Sequence, residues 1–173
     1  HLTDFAFETL QSADEIVFIF PLYFFCLPAM LTRFLQDFVK KHPAADKPCQ
    51  VYALVNCGFP EPDINMEAMR VIECFSVQTE RSFLGGLMFG GGGMLIGTAD
   101  APFMRPVFEK IDQLSARVLN DTVSGSTGGV QIDETSPRFP RPLYYFGGNF
   151  GWNSMARKNG IRIRDIKRKP YQK

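Results

Sequence analysis

What this sequence lacks narrows its chemistry first. Its 19 Lys and Arg nearly balance 18 Asp and Glu, for a net charge of +1. That balance makes no general case for nucleic acid or an acidic surface as a partner. There are only two His, and the four Cys (Cys26, Cys49, Cys57, Cys74) form no CxxC pair. No zinc-ligand pattern is present, so no metal site is expected, and the thiols read as reduced cysteines of a cytosolic protein. The most apolar stretch, residues 16–31, contains Pro21 and Pro28 and follows Asp14-Glu15. It falls short of the about 20 apolar residues that a membrane helix needs. His1 opens a polar segment with no basic region ahead of an apolar one, so no signal peptide is read there and a cytoplasmic location is expected. No internal repeat is visible.

Phenylalanine, by contrast, is abundant: 17 of 173 residues. Each ring has to be buried or used at a site. With 45% hydrophobic and 21% charged residues, the composition is that of a globular chain, and the length suits one core of ordinary size.

Five apolar residues, Ile16-Val-Phe-Ile-Phe20, read as a buried strand that stops at a proline-bounded aromatic loop, Pro21-Leu-Tyr-Phe-Phe-Cys26. Ahead of it, apolar positions 2, 5, 6 and 10 predict a helix over residues 2–12. Behind it, Pro28 suits a first helical turn, and Leu31, Phe34, Leu35 and Phe38 carry a helix to about Lys41, where His42 precedes Pro43 in a surface connector. Gln50-Val-Tyr-Ala-Leu-Val55 is a second buried strand, ending at Asn56-Cys-Gly-Phe-Pro-Glu61. A helix over 64–79 follows, with Ile64, Ala68, Val71, Ile72 and Phe75 on one face. Ser82-Phe-Leu-Gly-Gly-Leu-Met-Phe89 is a third strand whose glycines weaken it or mark close backbone approach. Residues 102–120 form a long amphipathic helix with Pro106 in its first turn. Thr122 to Gly129 is a Ser/Gly-rich loop, residues 138–142 are extended, and a last helix covers 143–158. The chain divides into an α/β domain over 1–121 and a C-terminal loop, helix and basic tail over 122–173, which packs on that domain or on a partner subunit.

Continuous apolar strands alternating with amphipathic helices predict a parallel sheet covered on both faces. Right-handed crossovers then put the loops after residues 20, 55 and 89 along one rim, at the carboxyl ends of the strands where ligands bind in such sheets.

At this point the residues resemble a known family. Ala13-Asp-Glu-Ile-Val-Phe-Ile-Phe-Pro-Leu-Tyr23, Leu27-Pro-Ala-Met-Leu31 with Phe34-Leu-Gln-Asp37, and Asn56-Cys-Gly-Phe-Pro-Glu61 are similar to segments of the flavodoxin-like NAD(P)H-dependent oxidoreductases, which include FMN reductases and quinone reductases. Gly151-Trp-Asn153 and Ala156-Arg-Lys-Asn-Gly160 resemble a subgroup of them. The resemblance implies a flavodoxin-like three-layer αβα fold whose N-terminal strands and phosphate loop are absent from this chain. A three-stranded remnant of that kind would expose one face and edge of its central strand. The resemblance also implies noncovalent FMN, NADH or NADPH as electron donor, a small-molecule acceptor such as a quinone or flavin, and a homodimer. The alternative is a flavodoxin-like electron carrier or a non-catalytic interaction module. A carrier would be expected to show an acidic docking face, which net +1 disfavours.

On that resemblance the cofactor-binding candidates are Pro21, Leu22, Tyr23, Phe24, Phe25 and Cys26 on the first loop and Asn56, Cys57, Gly58, Phe59 and Glu61 on the second. Tyr23, Phe24 and Phe25 stack on the flavin or plug the core beneath the helix. Residues 56–61 offer backbone N–H groups to the flavin pyrimidine, or form a plain turn with Phe59 as a hydrophobic staple. Cys26 and Cys57 are a redox pair or, more simply, inert small hydrophobes. Gly90 to Gly93 lacks the Lys and Ser/Thr of a P-loop and is a flexible rim or a turn. No acid, base or nucleophile is identified. From Arg157 to Lys173 there are eight Lys and Arg against one Asp, read as an NADPH 2′-phosphate contact, a docking surface or a solvated tail.

Overall fold

The computed structural model describes residues 2–124, 129–165 and 168. Its elements run in the order α1 (Leu2–Ser12), β1 (Glu15–Pro21), α2 (Ala29–Lys41), β2 (Gln50–Asn56), α3 (Met66–Gln78), β3 (Ser82–Phe89), α4 (Leu95–Thr98), α5 (Arg105–Ser124), β4 (Gln131–Thr135) and α6 (Arg141–Lys158). Four parallel strands form one sheet in the order β1-β2-β3-β4. Two compact units divide the chain, His1–Arg138 and Phe139–Lys173. The α/β unit therefore continues past residue 121 to include β4.

That fourth strand was not expected, because Gln131-Ile-Asp-Glu-Thr135 has one aliphatic residue in five. It joins the sheet as an edge, where one side of the ladder faces outward and polar residues are tolerated. Lys110 on α5 pairs with Asp133 at 3.1 Å, and Arg117 donates to the Gln131 carbonyl at 3.1 Å, so the same helix holds the strand by two polar contacts.

The sheet has a core on each side. On one, Phe7 of α1, Leu35 and Phe38 of α2 and Met69, Ile72 and Phe75 of α3 pack on Ile16, Phe18, Phe20, Val51, Ala53 and Val55. On the other, Met104, Val107 and Leu114 cover Tyr52, Leu54, Leu84, Leu87 and Phe89. Because strand order advances one step at a time while α5 lies opposite α2 and α3, the β3-to-β4 crossover has the opposite hand to the two before it. The expectation of uniformly right-handed crossovers fails at the added edge strand.

The two glycines of β3 mark close approach. A Cβ on Gly85 (φ 93°) would lie 2.1 Å from the Gln131 carbonyl oxygen, and one on Gly86 would lie 1.8 Å from that of Ala53. The β2–β3 register slips here, between Val51 and Tyr52. The bulge resets the alternation, so Leu87 and Phe89 face the α5 side while Met88 faces α3.

β1 is one-sided. Ile16, Phe18 and Phe20 are buried, but Val17 and Ile19 are 40% and 68% exposed, and among the described residues no strand pairs with the outer edge. The exposure expected of the central strand falls on this edge strand instead: β2 is paired on both sides, and its residues 51–55 are buried. His42 departs from its surface assignment: its ring stacks on Phe38 at 5.0 Å and meets the edge of Phe7 at 6.1 Å, which half-buries it.

Candidate functional site

Parallel strands bring the loops after β1, β2 and β3 to one rim, and backbone hydrogen bonds lace those loops together. Leu22 N–H donates to the Asn56 carbonyl at 2.7 Å, and Cys57 N–H to that of Phe89 at 3.1 Å. Gly91 and Gly92 N–H donate back to the Phe59 and Cys57 carbonyls at 2.6 and 2.7 Å, while Gly90 N–H reaches Thr135 at 3.0 Å. Each loop is fixed by the next.

In the first loop Pro21 pairs in register with Asn56, and Leu22 is half-buried against the core. Tyr23 and Cys26 then exchange two backbone hydrogen bonds of 2.9 Å, closing a two-residue turn at Phe24 (φ 47°) and Phe25 (φ 60°). Positive φ at both central residues defines a type I′ turn, which favours Asn-Gly because bulky side chains are strained there. Here it carries two Phe, 99% and 61% exposed, beside Tyr23 at 56%. None of the three plugs the core beneath α2; that place belongs to Leu27.

In the second loop Cys57 is buried, and its Sγ donates toward the Phe59 and Glu61 carbonyls, each at 3.4 Å. Burial pushes its thiol pKa up, which keeps it protonated and unreactive at neutral pH. All four cysteines are free thiols. Gly58 is exposed, and a Cβ there would meet nothing within 4 Å. Phe59 is no staple: its ring is 46% exposed and stacks on Phe25 with centroids 6.2 Å apart and planes at 13°. The amide reading of this loop needs narrowing. Cys57 N–H is committed to Phe89, and Pro60 has no N–H, so two positions drop out as donors.

The glycine run at 90–93 is a packed turn. A Cβ on Gly90 would lie 2.6 Å from the Pro60 carbonyl oxygen, and one on Gly92 would lie 2.4 Å from Asn56 Oδ1. Gly90 and Gly92 let the third loop close on the second, which is the turn of the two readings, while Gly93 has open space around it.

Asn65 was missed. It occupies the N-cap position of α3, yet its side chain makes no capping hydrogen bond and is fully buried. Its Nδ2 donates to Pro62 at 2.9 Å and to Phe89 at 3.4 Å, while Oδ1 has no hydrogen-bond partner among the described residues. It ties the end of β3 to the foot of the second loop. Only a polar residue at a helix entry following a Pro-rich turn hints at this from sequence.

The rim is therefore an open, rigid, apolar shelf carrying Tyr23, Phe24, Phe25 and Phe59, with Met30 and Ile96 also exposed among the flanking residues. Glu61 is the only carboxylate on loops 21–27, 56–61 and 90–94, which contain no Lys, Arg, Ser or Thr. These residues fit a planar aromatic ligand and offer no side chain suited to a phosphate. A groove of about 520 Å³ lies elsewhere, between α2 and α3, lined by Leu35, Val39, Val71, Cys74 and Phe75. It is a seam between helices and receives nothing from the strand ends. Among the described residues no cluster of His, Cys, Asp or Glu is arranged to hold a metal, and no helix is long and apolar enough to cross a membrane.

Fold and rim together define the class: an open parallel α/β unit with an aromatic shelf at the carboxyl ends of its strands. No known family model, curated protein or solved structure matches the chain.

Proposed function

We propose that this chain is the ring-binding part of a flavodoxin-like, FMN-dependent NAD(P)H oxidoreductase that passes electrons to a quinone, a flavin or a similar small acceptor. One observation carries the reading: the strained turn at Phe24 and Phe25 and the stacked Phe59 give the rim a fixed, water-exposed aromatic shelf at the strand ends. FMN, when bound, supplies the ring that accepts hydride from NADH or NADPH and hands the electrons on. Tyr23, Phe24 and Phe25 hold the ring by stacking and keep water off one of its faces. Asn56 and Cys57 shape the edge of the shelf through their backbone bonds to the first and third loops. Gly58 leaves room for the ring edge to approach, and Glu61 places one negative charge at the margin. Phosphate donors are missing from the three loops, which supports assigning them the isoalloxazine and not the phosphate. The same absence is what favours the alternative, a non-catalytic interaction module that uses the shelf for an apolar partner.

Titration of this chain with FMN and with lumiflavin, which lacks the ribityl phosphate, tests the reading by fluorescence quenching. Both should bind with similar, weak affinity, on the order of 1 mM, as four stacking contacts of about 1 kcal/mol each allow. Absence of binding by either at millimolar protein refutes the oxidoreductase reading. FMN binding at micromolar or tighter refutes the division of labour between ring and phosphate.

A further inference from the structure

The second rim loop is held from inside. Loop carbonyls ordinarily face water, but those of Phe59, Glu61 and Pro62 accept from two buried side chains. Cys57 Sγ donates toward the Phe59 and Glu61 carbonyls, each at 3.4 Å, and Asn65 Nδ2 donates to that of Pro62 at 2.9 Å. Cys57 is buried and Asn65 fully so. Both also bind one atom of the sheet. The Phe89 carbonyl, at the end of β3, accepts the Cys57 N–H at 3.1 Å and Asn65 Nδ2 at 3.4 Å. The loop is thus pinned to the sheet on either side of Phe59.

Phe59 is the residue this arrangement controls. Its carbonyl takes two donors, the Cys57 thiol and the Gly91 N–H at 2.6 Å, so its backbone cannot turn without losing both. With that carbonyl held inward, the ring stands half-exposed on the rim, nearly parallel to Phe25. Phe25 is fixed separately, by the turn between Tyr23 and Cys26. The anchors of the second loop therefore decide whether the two rings meet. Nor does the buried pair merely fill space. Asn65 buries an oxygen with no hydrogen-bond partner among the described residues, a cost that an apolar side chain of its size avoids. What Asn adds in return is its two Nδ2 bonds.

We propose that Asn65 and Cys57 are positioning residues of the rim: they hold the second loop so that the Phe59 ring lies against Phe25 and the pair presents a flat surface to a planar ligand. Their part in ligand binding rests on the reading of the rim as a flavin shelf; their hold on Phe59 does not.

The test combines aromatic NMR of Phe-labelled protein, with Phe25 and Phe59 assigned through Phe25→Leu and Phe59→Leu, and titration of lumiflavin fluorescence with protein. Nuclear Overhauser contacts between the two rings are expected in the parent and in Cys57→Ser, which keeps a donor in place. They should vanish in Cys57→Ala and in Asn65→Ala, read in whichever keeps the circular dichroism of the parent. Lumiflavin affinity should fall about fivefold in Cys57→Ala, the share of one stacking contact, and recover in Cys57→Ser. Added to Phe59→Leu, Cys57→Ala should cost nothing further, whereas a merely structural role would weaken binding again. Ring contacts that persist in the alanine variants, or a further fivefold loss on the Phe59→Leu background, overturn the proposal. If the parent binds no lumiflavin, the flavin reading fails, and the ring contacts alone decide whether Asn65 and Cys57 hold Phe59.

Discussion

Phe24 gives a stability prediction whose sign is opposite to that of most substitutions. Its backbone lies at φ 47°, in the left-handed region, and its side chain is 99% exposed. A left-handed L-residue costs roughly 1–2 kcal/mol because its Cβ crowds the following carbonyl. With almost no burial to offset it, that strain is removable. Phe24→Gly removes it all but adds about 0.5–1 kcal/mol of unfolded-state entropy, for a net gain near 0.5–1 kcal/mol. Phe24→Asn should gain a similar amount, since Asn tolerates this region. Phe24→Ala keeps the Cβ and should be neutral within about 0.5 kcal/mol. At a urea slope of about 2 kcal/mol/M, Gly and Asn raise the midpoint by roughly 0.3–0.5 M, and Ala leaves it in place. Phe25 is a poorer target, because its stack on Phe59, about 0.5–1.5 kcal/mol, is lost along with its strain. If Ala stabilises as much as Gly, or if Gly and Asn fail to stabilise, backbone strain at this turn is not what the geometry implies. Lumiflavin titration separates the two roles of the residue: all three variants lose the ring and should bind equally weakly, whatever their stability.

Other outcomes follow from the sheet and from α5. Gly86→Ala drives a Cβ into the Ala53 carbonyl, a backbone atom that cannot move aside, and should cost more than about 3 kcal/mol or abolish soluble expression. Gly58→Ala, with open space around it, should leave the urea midpoint unchanged, and a large loss there would contradict the loop geometry. Tyr52 donates to Asp121 at 2.7 Å, and burial followed by that carboxylate raises its phenol pKa. A group whose folded pKa is raised holds its proton more tightly in the folded state, so its contribution is intact below the unfolded value of about 10 and is lost as pH rises above it. Tyr52→Phe should cost about 1–2 kcal/mol at pH 7 and flatten the decline in stability above pH 10, read by urea midpoints across pH 7–11.

The strands and helices legible in the sequence were those whose burial is complete or strictly periodic. β2 is buried on both faces, and α2 and α3 each carry a clean apolar stripe. β4 was hidden because an edge strand half in water needs few apolar residues, and its anchors, Lys110 and Arg117, lie on a helix that sequence cannot dock. The rim followed from strand direction alone, but its chemistry did not. Turn rules look for Asn-Gly, so a type I′ turn on two phenylalanines left no trace. The glycines at 90–93 left a flexible rim or a turn open, and only coordinates reveal that carbonyls of the neighbouring loop fill the space beside Gly90. Asn65 was passed over for the same reason: sequence carries the polarity of a side chain but not its direction.

The rim geometry also limits where a planar ligand can lie. Phe25 and Phe59 are nearly parallel with centroids 6.2 Å apart. Inserting a ring between two others needs about 7 Å between their planes, two contact distances of roughly 3.5 Å. Parallel rings cannot have planes farther apart than their centroids, so the gap is too narrow. Widening it means moving a loop held to its neighbour by the Gly91–Phe59 and Gly92–Cys57 bonds. On the proposed reading a flavin would therefore stack outside this pair, not between its rings, with the solvent-exposed Phe24 as a further surface for it. Stacking on one side only leaves the other face of the ring to water or to something brought by another chain, which is where an NAD(P)H nicotinamide and the acceptor would have to approach in turn.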